Sequence, residues 1–84
     1  MSEEVVGHVS DFFARPVVAG IEVVGTLKLG DKIHIVGHTT DLEMVIDSMQ
    51  IDNANVSEAK PGDSVGIKVP DRVRHGDTVY KVTD

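Results

Sequence analysis

The sequence predicts an all-β fold, a small barrel or sandwich with short, tight connections. Three observations lead there. Gly-Asp stands one residue before an apolar β-branched position three times, at Gly30-Asp31-Lys32-Ile33, Gly62-Asp63-Ser64-Val65 and Gly76-Asp77-Thr78-Val79. Glycine turns the backbone where a side chain would clash, and the Asp carboxylate can tie to nearby amides, so each triplet launches a strand. The residues that follow alternate apolar and polar, as a half-buried ladder requires. Finally, Val17 to Val24 is a dense run of β-formers, broken only by Gly20.

Taken in order, Val5 to Asp11 reads as the first strand, and Phe12 to Pro16 as a connection, because Pro16 cannot donate to a ladder. Val17 to Val24 is the second, with Gly20 marking a bulge or bend. Between Gly25 and Gly30, Leu27 and Leu29 are expected to share a face. Lys32 to Val36 is the next strand and residues 37–40 a loop. From Asp41 to Ile51 the parity changes: Leu42, Met44 and Ile46 lie on one face, Met49 and Ile51 on the other. A bent strand with a bulge near Asp47-Ser48 accommodates both. Asp52 to Pro61 is a polar connection with an extended piece around Val56. Val65 to Val69 and Val79 to Val82 complete the set, joined by residues 70–75.

The chain of 84 residues is read as one domain over residues 1–84, with a barrel core at about 5–82. At this size folding buries somewhat more than about 60% of the unfolded chain's surface. The absence of cysteine removes disulfides and thiolate metal sites, in keeping with a reducing compartment. The acidic start Met1-Ser2-Glu3-Glu4 is unlike a secretory signal, and no apolar run reaches membrane-spanning length, so a cytoplasmic protein without membrane contact is expected. Net charge is −6, which opposes generic binding to a phosphate backbone. The segment from Lys60 to Lys81 nevertheless carries +2, against −8 for the remainder.

Chemistry is sparse. Gly25-Thr26-Leu27-Lys28-Leu29-Gly30 opens like a phosphate loop, but Asp31-Lys32 follows where Lys and Ser or Thr are required, and the segment enters a strand. No nucleotide is expected. His34 and His38 have ligand-pair spacing only on a helix, so they are read as surface histidines and no metal is expected. Ser10, Ser48, Ser57 and Ser64 carry no nucleophile signature, and Asp41, Glu43 and Asp47 read as a solvated strand face. Neither catalytic residues nor cofactors are assigned. Binding residues concentrate in connections, which singles out Arg15, Arg72 and Arg74. Consecutive Phe12 and Phe13 point to opposite faces if extended, leaving Phe13 as a candidate partner anchor. Two phenylalanines and one tyrosine are too few for a base-stacking platform.

The run from Gly25 to Gly37 resembles the glycine-framed, Lys-apolar-Gly-Asp hairpin of domain 2 in translational GTPases such as elongation factor Tu. Ile46-Asp47-Ser48-Met49 is similar to that domain's strand ending in a buried Met. Ala59 to Ile67 resembles its Ala-Gly-Asp/Glu-Asn-Val-Gly strand, and Val73 to Val79 its closing Arg-Gly-Asp/Gln-Val-Leu turn. The resemblance covers about Gly7 to Val82 and implies a six- to seven-stranded Greek-key barrel like that of translation elongation factor-like proteins. Where the elongation factors place arginines near the 3′ end of charged tRNA, this chain reads Gly20-Ile21-Glu22-Val23-Val24. A related barrel is appended to collagenase-like peptidases. The implied function is a noncatalytic binding module of translation or RNA modification, contacting tRNA, rRNA or a protein of that machinery through Phe13, Arg15, Arg72 and Arg74. The alternative is a protein-interaction accessory domain that docks onto a separate enzyme, such as a collagenase-like peptidase, without touching RNA.

Overall fold

Ten β-elements make up the chain in a computed structural model, which describes residues 2–14 and 17–83. They are β1 (Ser2–Ala14), β2 (Val17–Val23), β3 (Leu27–Lys28), β4 (Lys32–Val36), β5 (Asp41–Val45), β6 (Met49–Ile51), β7 (Ala54–Asn55), β8 (Glu58–Ala59), β9 (Ser64–Lys68) and β10 (Thr78–Thr83). Eight pair antiparallel in the order β5-β4-β10-β1-β2-β9-β6-β7, and β3 pairs with β8 separately. The segment 41–51 supplies β5 at one end of this order and β6 near the other. It therefore links one edge strand covalently to the strand next to the other edge, and the sheet curls into a barrel of the expected Greek-key class.

That segment is not the single bulged strand its parity suggests. It breaks at residues 46–48, and its halves change neighbours: β5 pairs with β4, β6 with β9. Ile46 sits at the corner, buried, with its backbone bonded to Gly30 and Asp31. The two parities serve two different partners, as a corner-turning strand in a closed barrel must. A second difference is at β1, which runs through Phe12 and Phe13 to Ala14 and pairs with β2 as far as Ala14 opposite Val17. Cross-strand pairing outweighs the proximity of Pro16, which with Arg15 lies outside the described residues. The irregularity expected at Gly20 falls on the facing strand, between Val9 and Asp11. Leu27 and Leu29 do not share a face: the turn begins between them, leaving Leu27 buried and Leu29 exposed. Around Val56 the extended pieces are β7 and β8, on either side of it.

The three Gly-Asp sites are copies of one device. In each, the Asp amide donates to the carbonyl three residues back (Lys28, Lys60 and Arg74), at 3.0–3.1 Å. The same residue's amide donates to the Asp carboxylate at 2.8–2.9 Å. Gly30, Gly62 and Gly76 all have φ between 90° and 95°, the left-handed region that an L side chain rarely adopts. Each turn then docks on a buried residue distant in the chain. Gly30, Gly62 and Gly76 donate to the carbonyls of Ile46, Val23 and Val9, and those residues' amides donate to the carbonyls of Asp31, Asp63 and Asp77, all at 2.8–2.9 Å. Residues on both sides of each turn (Leu27 and Ile33, Ala59 and Val65, Val73 and Val79) are buried. Local turn chemistry thereby fixes the long-range register of the barrel around one continuous aliphatic core.

Candidate partner-binding face

The hairpin of β1 and β2 separates its two phenylalanines, because successive strand residues face opposite ways. Phe12 packs against the core, while Phe13 is 53% exposed. The connection after β9 is drawn to this hairpin by the Val69 amide, which donates to the Val17 carbonyl at 3.1 Å. Arg72 consequently lies over the Phe12 ring, its guanidinium carbon 6.0 Å from the ring centroid. That distance is a cation–π contact, so part of the Arg72 guanidinium is already engaged within the molecule. Arg74 is exposed, with its backbone amide held by Asp77. Arg15 lies outside the described residues. Of the four residues singled out from sequence, Phe13 and Arg72 are thus brought to the same hairpin but to opposite faces of it.

Beside Phe13 the outer surface of β2 and β9 carries a feature that the sequence did not flag. Gly20 and Gly66 are direct cross-strand partners. Two facing glycines remove side chains from the middle of the sheet and expose its backbone. The result is an open groove of about 530 Å³, with Phe13 and Val18 along one side and Gln50, Asp52 and Asn53 along the other. Asp52 and Asn53 hold positive φ, which makes the β6–β7 turn tight and places it at the groove's rim. The missed signal was the spacing: Gly20 and Gly66 each sit at an outward position between buried residues, and only pairing shows that they coincide.

Across the barrel, His34 on β4 bridges two carboxylates. Its Nδ1 lies 2.8 Å from Glu3 Oε2 and its Nε2 2.5 Å from Asp41 Oδ1. Hydrogen bonds to Asp41 and then Glu3 hold its pKa above the usual histidine value, since both partners favour imidazolium. The surface-histidine reading missed these contacts, which join β1 to β4 and β5. Because both ring nitrogens are engaged in opposite directions, the cluster is a clamp, and among the described residues no group of three or more metal-ligating side chains forms. No described helix is long and apolar enough to cross a membrane.

With the geometry in place, comparison with known proteins is decisive for family. The sequence profile of elongation factor Tu domain 2 matches residues 17–80. The chain belongs to the elongation factor Tu domain 2 family. An uncharacterized protease of Methanocaldococcus jannaschii is 46% identical over 76 residues, which span 89% of this chain and 19% of that relative. The C-terminal domain of a Geobacillus thermoleovorans U32-type peptidase superposes with a TM-score of 0.89 at 18% identity, covering 95% of this chain and 93% of that one. Its selenomethionine variant gives 0.86 at 18% identity, covering 90% and 96%. At that identity the superpositions speak to fold.

Proposed function

We propose that this chain is a noncatalytic accessory domain of a U32-type peptidase system, contributing a docking surface and no reacting group. The reading is supported above all by the Methanocaldococcus relative, in which a segment 46% identical to this domain occupies only 19% of a protein described as a protease. The chain's own chemistry agrees. The phosphate-loop spacing is spoiled by Asp31, whose carboxylate instead accepts the Lys28 amide of its turn at 2.9 Å. Phe13 is the anchor of choice, because it is a large aromatic side chain held out on a paired strand.

The first functional reading, RNA contact through Arg15, Arg72 and Arg74, gains less support, since Arg72 stacks within the fold and net charge is −6. Affinity capture before and after nuclease separates the two. A stoichiometric peptidase-family partner that survives nuclease and is lost with Phe13→Ala supports the docking module. Capture of tRNA or rRNA that weakens with salt and is abolished by the double change Arg72→Ala/Arg74→Ala restores the RNA reading.

A further inference from the structure

We propose that the Gly20–Gly66 trough beside Phe13 is the seat for a peptidase-family body. It would receive one apolar side chain from a patch of that protein bordered by basic or hydrogen-bonding groups; this rests on the accessory-domain reading above. Three observations carry it. The floor of the trough is backbone, because Gly20 and Gly66 face one another on paired strands, and its walls are side chains of β1, β2 and β6. A shaped, rigid hollow next to an exposed aromatic knob is the arrangement in which interface anchors concentrate. Phe13 supplies the knob and the trough the matching hole, so a partner can both give and take a side chain.

Charge decides the class of occupant. Asp52 lines the groove of about 530 Å³, and the exposed Asp11, the cross-strand partner of Gly20, borders its floor, its Cβ 3.2 Å from where a Cβ on Gly20 would stand. Lys68 stands beyond Gly66, in a smaller depression of about 220 Å³ that continues it. A trough with two carboxylates, and one ammonium in the adjoining depression, disfavours a polyanion and suits an apolar patch bordered by basic or hydrogen-bonding groups. Ser10, Ser64, Gln50 and Asn53 provide that polar rim. In the Methanocaldococcus relative, four-fifths of the protein lies outside the matching segment, so a large protein surface is tethered to this kind of domain.

The chain's lack of cysteine permits a direct test. Gln50→Cys at the rim and Glu43→Cys on β5, across the barrel, report burial of each face through maleimide labelling, quantified by mass spectrometry. Each is placed in the chain alone and in the Methanocaldococcus relative with its matching segment replaced by this chain. The expected result is labelling of Gln50→Cys at least tenfold slower in the fused protein, Glu43→Cys unchanged, and the isolated-chain rate restored by Gly66→Val. A Cβ at Gly66 would lie 3.3 Å from Val18 Cγ1, so Phe13→Ser, at an exposed position, serves as a second variant should Gly66→Val disturb the strand. Protection of Glu43→Cys without Gln50→Cys overturns the trough but leaves the accessory-domain reading standing. No protection at either thiol overturns both. Protection of Gln50→Cys in the isolated chain by concentration alone, or by added bulk tRNA, assigns the face to a second copy or to RNA and overturns the proposal.

Discussion

Adding one methyl group at Gly37 tests whether the Gly-Asp turns anchor the barrel. A Cβ there would lie 2.5 Å from Asp77 Cγ and nearer still to its Oδ1. Gly37 has no left-handed φ, so alanine suits its backbone and the whole penalty is the collision. Asp77 is buried, and its Oδ2 accepts the Arg74 amide at 2.8 Å. To clear a methyl group the carboxylate must leave that amide. Loss of a hydrogen bond to a charged group is worth about 1.5–3 kcal/mol, and residual overpacking adds roughly 1 kcal/mol. Gly37→Ala should therefore destabilise by about 3 kcal/mol, a large share of the 5–15 kcal/mol typical of a domain. Asp77→Ala alone should cost about 2 kcal/mol. With the carboxylate gone, Gly37→Ala should become neutral or stabilise by about 0.5 kcal/mol through the unfolded chain. Urea unfolding of the four proteins in the cycle measures the coupling, expected at about 3 kcal/mol. Additive effects would refute the reasoning, as would a Gly37→Ala loss below about 0.5 kcal/mol.

The three turn glycines make a second test, since each has open space where a Cβ would go: Gly30→Ala, Gly62→Ala and Gly76→Ala should each cost about 1–2 kcal/mol from backbone strain alone, read as a drop in urea midpoint. The His34 clamp gives a pH dependence. Its folded pKa is raised above the unfolded value of 6.5, so its contribution is complete below about pH 6.5 and is lost as pH climbs through the folded pKa. Stability curves between pH 5 and 9 should lose that component in His34→Gln, by at most about 1 kcal/mol for so accessible a pair of contacts. Arg72→Ala should lower stability by about 0.5–1 kcal/mol through its contact with Phe12. Arg74→Ala, whose backbone amide and not its guanidinium holds the turn, should stay within about 0.5 kcal/mol of the parent in the same melts.

What could be read from the sequence and what could not divide along the distance over which each interaction acts. The Gly-Asp turns were legible because a positive φ and a carboxylate capping an amide are settled within four residues. The strands after them were legible because alternation is local too. Family-level resemblance followed from these same motifs in order. Three things required the closed barrel. The parity change in residues 41–51 fits a bulge as well as a corner until β5 and β6 are seen to hold different neighbours. The division of Phe12 from Phe13 was foreseen, but the Arg72 contact depends on the Val69–Val17 bond that folds one connection onto another. Phe13 could be singled out in the chain, but the trough beside it could not, because Gly20 and Gly66 are far apart in sequence and become one trough only by strand pairing. The Gly-Asp turns and most inward positions follow from neighbours along the chain, through dihedral preference and alternation, whereas the exposure of Leu29 and the pairing of residues 12–14 do not. Which outward residues meet is settled only in the folded barrel, because its register is set by docking each turn on a buried residue distant in the chain.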